Sequence, residues 1–159
     1  MLNLQTFTLF HVLVSLAGII SGLVVAGGLA SGRRLGGWAS LFLVMTAATS
    51  VTGFGFPSSV LLPSHVVGGI SLVVLGVVAI ALVKRLAGPW RRIYSGGVVA
   101  ATYLNCFVLV AQLFRRLPDL AELAPTQSEP PFAIAQLMVL VVFVWLGVAA
   151  DSGIRAAAR

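Results

Sequence analysis

Five stretches of this chain carry no charged residue and are each long enough to cross a bilayer: about 7–30, 35–56, 64–83, 93–114 and 132–150. Crossing the hydrocarbon core takes about 20 apolar residues in a helix. Only a helix or a closed barrel satisfies its own backbone polar groups in lipid, and continuous apolar runs are the helical pattern. The sequence therefore predicts an all-α fold: a polytopic membrane bundle of five transmembrane helices forming one domain over 1–159. The prolines punctuate the same plan, since Pro57, Pro63, Pro89, Pro118, Pro125, Pro130 and Pro131 all fall between the stretches. Proline breaks helices, so its placement is an independent boundary signal.

Composition agrees. Hydrophobic residues make up 59% of the chain and charged residues 9%, against about 25% charged in a soluble domain. So few charges exclude a typical soluble globular protein and a disordered tail. A lone cysteine, Cys106, excludes an internal disulfide. It sits in an apolar block and reads as a small hydrophobe. No Lys or Arg precedes the first apolar run, which is also too long for a signal-peptide core, so it is read as a retained helix.

The net charge is +6, but its distribution is not that of a nucleic-acid surface, which clusters basic residues among polar and aromatic ones. Here basic pairs stand at the ends of apolar blocks. Arg33, Arg34, Lys84, Arg85, Arg91, Arg92, Arg155 and Arg159 fall on one side of the membrane, and only Arg115 and Arg116 on the other. That bias predicts a cytoplasmic C-terminus and an N-terminus outside. Trp38, Trp90 and Tyr94 then lie near the inner boundary, with Trp145 just above it, as interfacial anchors. The last outer loop, 115–131, is the longest. Its first half, LPDLAELA, predicts a short helix on the membrane surface, and its second half, APTQSEPP, predicts an extended segment. The outer loop at 57–63 carries no charge and is expected to hug the membrane.

A weak internal repeat aligns His11 with His65 and Gly22 with Gly76. At helical spacing His11, Ser15, Gly18 and Gly22 share one face of the first helix, and His65, Gly69, Leu72 and Gly76 one face of the third. Such small-residue faces ordinarily pack helices closely. Both histidines should lie at similar depth near the outer surface, beside Gln112 and Gln136, with Tyr103 and Asn105 deeper. Phe7, Phe10, Phe54, Phe56, Phe114 and Phe132 occupy the same layer and suggest an aromatic ring around a few polar groups, the usual make-up of a ligand pocket.

Four functions fit that layer, and the first is the preferred reading of the sequence. In the first, His11 and His65 are axial ligands of a b-type haem, making the chain a redox protein of electron transfer. Tyr103, Asn105, Gln112 and Gln136 then line the pocket, with Glu129 capping it. In the second, the same groups bind or transport a lipophilic or small uncharged molecule, such as a quinone or a lipid. In the third, His11, His65 and an acid such as Glu129 hold zinc or iron. In the fourth, the histidines only hydrogen-bond across helices, at about 0.6 kcal/mol each, and the chain is a non-catalytic accessory subunit. Ion-coupled transport is disfavoured, because the spans hold no carboxylate. No nucleophile–base motif, phosphate loop, CxxC or HExxH is present, so hydrolase and kinase chemistry are not indicated.

The stretches LLPSHVVGGISLVVL, ATYLNCFVLVAQLF and LAPTQSEPPF resemble a family of uncharacterised small bacterial inner-membrane proteins. The resemblance spans most of the chain, with APTQSEPPF its most distinctive part. It implies a helical bundle in a bacterial inner membrane and carries no activity with it. It singles out His65, Tyr103, Asn105, Gln112 and the Gln127–Ser128–Glu129 segment.

Overall fold

The structure, a computed structural model, describes residues 3–56 and 63–157. The uncharged loop at 57–62 and Arg159 lie outside the described residues. The elements are α1 (Leu4–Ala30), α2 (Gly36–Gly53), α3 (Pro63–Val83), α4 (Trp90–Arg116), α5 (Pro118–Leu123) and α6 (Pro130–Ala156). All regular structure among the described residues is helical.

Local chemistry sets the helix starts. The Asn3 side chain caps α1 by accepting a hydrogen bond from Thr6 N at 2.9 Å. Pro63, Pro118 and Pro130 are the first residues of α3, α5 and α6, and Pro89 caps α4. Proline suits a first helical turn, whose N–H would have no partner. Several hydroxyls inside the apolar helices are satisfied on their own backbone. Ser21 donates to Ala17 O (2.6 Å), Ser50 to Thr46 O (3.0 Å) and Thr102 to Val98 O (2.8 Å).

Four of the helices, α1, α3, α4 and α6, are long and apolar enough to cross a membrane. Helix α2 is shorter. Its 18 residues rise about 27 Å, and it carries Thr46, Thr49, Ser50 and Thr52. The apolar stretch predicted to 56 unwinds after Gly53, so Phe54 and Phe56 sit in a turn.

Helix α2 lies between α1 and α3, α3 packs on α4, α4 on α6, and α6 on α1, which closes a ring; α1 and α4 also meet across its middle. Helices consecutive in the bundle from α1 to α4, and α4 with α6, run antiparallel, whereas α6 runs parallel to α1. His11 near the start of α1 meets Thr52 near the end of α2, and Gly153 near the end of α6 meets Leu29 and Ala30 at the end of α1. The bundle therefore has a histidine end, holding His11, His65 and α5, and an arginine end, holding Arg34, Arg85 and Asp151.

The tightest apolar packing lies toward the arginine end, around Val25, Leu29, Phe42, Val78, Leu86, Tyr94 and Val98. Tyr94 is only 4% exposed. It belongs to this core, whereas Trp38 and Trp145 are exposed. Glycines permit the closest approaches. A Cβ at Gly22 would collide with the Thr102 side chain and Phe42, and one at Gly153 with the carbonyl oxygens of Leu29 and Ala30. The repeat is not repeated in packing. Gly18 and Gly22 are buried, while a Cβ at Gly69 or Gly76 would meet open space.

The segment after α5 is folded, not extended as expected. Gln127 N donates to Ala124 O at 3.2 Å, and the Glu129 carboxylate closes the turn.

Candidate functional site

At the histidine end, α2 presents its last turn to both neighbours. On the α1 side, His11 Nδ1 lies 2.8 Å from Thr52 Oγ1. Thr52 donates its own proton to Ala48 O at 2.7 Å. With the Thr52 proton on Ala48 O, the matching imidazole tautomer donates from Nδ1 and carries its lone pair at Nε2. Phe56 meets the His11 ring edge-on (5.1 Å, 87°), and Phe7 meets Phe56 in the same way (5.0 Å, 61°). On the α3 side, His65 stacks on Phe54, with centroids 5.5 Å apart and planes at 25°. The two imidazoles thus flank the end of α2, each held against a phenylalanine that follows it.

The other candidate residues occupy two further places. Deeper between α1, α2 and α4, Asn105 Nδ2 donates to Thr46 Oγ1 at 3.3 Å. Thr46 is fully buried, and Gly18 leaves the space above this pair: a Cβ there would lie 3.1 Å from Thr46 Oγ1. Along the α4–α6 seam, Gln136 Nε2 donates to Phe107 O at 3.1 Å, and Gln127 Nε2 donates to Ala111 O one turn further along α4, at 2.6 Å. Two glutamine amides thus fasten α6 and its preceding loop onto the α4 backbone. The Gln136 Oε1 atom is buried, with no hydrogen-bond partner among the described residues. Tyr103 packs between Phe107 and Phe143 (6.2 and 5.8 Å), and Gln112 is half-buried near the end of α4.

The expected single aromatic ring is divided. Phe7, Phe54 and Phe56 accompany the histidines, Phe114 and Phe132 pair with each other across the α4–α6 seam (5.4 Å, 82°), and Phe10 is 53% exposed. The division follows from the ring order of the helices, which places α2 and α6 on opposite sides of α1 and α4.

Glu129 does not reach the imidazole cluster. Its Oε1 accepts from the Thr126 hydroxyl (2.8 Å) and Thr126 N (3.1 Å), and its Oε2 from Ser128 N (3.1 Å). Partial desolvation pushes this carboxyl up, but the hydrogen bonds from Thr126 and Ser128 together outweigh it and hold it below the ordinary value of 4.5. Among the described residues no group of three or more His, Cys, Asp and Glu side chains gathers to hold a metal.

Sequence reasoning misses Thr52 and Thr46, the partners that orient His11 and Asn105. Their signal is the run TAATSVT, whose hydroxyls recur at helical spacing in an otherwise apolar helix. Comparison with protein-family models, with curated proteins and with solved structures gives no match.

Proposed function

We propose that the chain is a five-span protein of a bacterial inner membrane, N-terminus outside, whose histidine end binds a lipophilic molecule bearing a hydrogen-bonding oxygen, of the quinone class. One observation carries this reading: two imidazoles flank the end of α2, each held against phenylalanine. Phenylalanine suits the ring or tail of such a molecule, and imidazole suits its carbonyl or hydroxyl. The basic bias between the two ends supports the orientation.

A second reading, b-type haem bound through His11 and His65, draws on the Thr52 bond. Metal-bound histidines commonly donate their other ring N–H to an oxygen, and the His11–Thr52 pair leaves Nε2 for a ligand. Helix α2 standing between the two histidine-bearing helices weighs for the first reading.

Purification in mild detergent, a visible spectrum, and organic extraction with mass analysis distinguish the two. The proposal expects a colourless protein that yields a quinone-like molecule. Occupancy should fall about tenfold in His11→Ala and in His65→Ala, the scale of one lost hydrogen bond, with helix content kept. A Soret band lost in either variant transfers the function to haem. Neither signal overturns both readings and leaves an accessory subunit.

A further inference from the structure

The arginine end contains a cleft of about 350 Å³ between the start of α2, the end of α3 and the first turns of α4. Arg34 and Arg85 line it, together with Tyr94 and the apolar Leu35, Leu82 and Leu86. We propose that this cleft binds the phosphodiester headgroup of an anionic membrane phospholipid.

The charge balance at this end calls for an anion from outside the chain. Asp151 is the one acidic residue here, and it is already paired with Arg155 (2.9 Å) and Arg92 (3.4 Å). Among the described residues no ion pair engages Arg34 or Arg85. The start of α2 adds donors, since its cap residue Leu35 makes no side-chain cap bond and its first turn holds no acid. Guanidinium groups suit phosphate oxygens, which accept two parallel N–H bonds from one fork.

The cleft is also built rather than incidental. Arg85 and Leu86 both adopt left-handed backbone (φ 52 and 55), a conformation unfavourable for residues with a Cβ. Leu86 is 3% exposed and is bound through its N–H to Ala81 O at 3.0 Å, so the turn is pinned from beneath and Arg85 is carried to the cleft. Strained turns of this kind persist where the surroundings over-determine them. Tyr94, 4% exposed, lines the same cleft as Arg34, and no hydrogen bond among the described residues engages its hydroxyl. Its hydroxyl can donate to an anion seated in the cleft.

A lipid rather than a soluble phosphate fits because the same cleft is walled by leucines. Its Leu82 edge continues onto the exposed apolar flank of α3, where Val83 is 80% exposed. The headgroup would lie among the arginines and an acyl chain along that flank. The inference rests on the chain being membrane-embedded, but neither on its orientation nor on the ligand at the histidine end.

The test is thermal unfolding and native mass spectrometry of the detergent-purified chain, titrated separately with phosphatidylglycerol, phosphatidylcholine and inorganic phosphate. The cleft variant is Arg34→Gln with Arg85→Gln. The control is Arg33→Gln with Lys84→Gln, which removes equal charge from exposed neighbours that do not line the cleft. Phosphatidylglycerol should bind and stabilise the parent chain. Binding should weaken about tenfold in the cleft variant and a few-fold in Tyr94→Phe, and hold in the control. Equal loss in cleft variant and control would mean diffuse surface charge and overturn the site. Stabilisation by inorganic phosphate matching that by the lipid, or no preference over phosphatidylcholine, overturns the lipid assignment.

Discussion

Gly22 and Gly76 occupy equivalent places in the apparent repeat, yet their surroundings are opposite. A Cβ at Gly22 enters the space of Thr102 and Phe42, both fully buried. Overpacking of this kind costs about 1–3 kcal/mol, so Gly22→Ala should lower the unfolding midpoint of the purified protein. Gly76→Ala meets nothing and gains helix propensity of up to about 1 kcal/mol, so its midpoint should hold or rise. Equal destabilisation by both would mean that α3 packs through its repeat face, contrary to this structure. The small-residue face of α1 was thus legible in the sequence, but its partner was not. The contact depends on Thr102, and nothing local to α1 encodes which helix crosses it. The Asn105–Thr46 bond has the same character. Both polar residues are visible in the sequence, but they are 59 positions apart, and only the ring order of the helices brings them together.

The loop between α4 and α6 behaves as an element, because two of its residues share one carboxylate and a third bonds to α4. Thr126 and Ser128 donate to Glu129, and Gln127, held at φ 58, reaches Ala111 O on α4. A carboxyl whose folded value lies below its unfolded one stabilises the fold above the unfolded value, and loses that contribution as pH falls through the folded one. The turn should therefore stay closed at neutral pH and open as pH drops below 4.5, the ordinary value for Glu129. Hydrogen exchange of the Thr126 and Ser128 amides reads this directly: protection should collapse in acid, and Glu129→Gln should lack much of it at neutral pH. Protection that is flat with pH would remove the carboxylate from the role. Gln127→Ala should also loosen the loop, by about 1 kcal/mol, in the same assay. Helices were the legible part of this region, because Pro118 and Pro130 mark their starts. The intervening turn was not legible, since APTQSEPP read as extended until the Glu129 hydrogen bonds gave it a reason to fold.

For the whole molecule, the decisive quantity is which end faces which compartment, because it sets what each site can meet. The alternating directions of α1, α2, α3, α4 and α6 along the chain put the histidines, α5 and the Glu129 turn at one end, and Arg34, Arg85, Arg92 and Arg155 at the other. The apolar stretches and their order were legible because lipid demands long uncharged helices, whatever they pack against. Helix α2 was the exception. Its hydroxyls serve the interior, where Thr46 and Thr52 hold Asn105 and His11, so it is less apolar than a helix bathed in lipid. An even number of crossings would return the chain to the side it started from, and an odd number would not. The status of α2 is therefore measurable through the ends of the helices around it. The lone cysteine makes the measurement simple. In a Cys106→Ser background, Glu122→Cys on α5 and Ala87→Cys between α3 and α4 are both exposed. A membrane-impermeant maleimide added to intact cells should label Glu122→Cys, and should label Ala87→Cys only after the cells are opened. A third variant, Asn3→Cys, decides α2: if α2 crosses, it labels in intact cells together with Glu122→Cys. If α2 fails to cross, α1 and α3 must enter from opposite faces. That is incompatible with a bundle in which the start of α1 and the start of α3 both pack against the end of α2. Labelling of Asn3→Cys and Glu122→Cys from opposite sides would therefore defeat the five-span arrangement, and with it the shared histidine end.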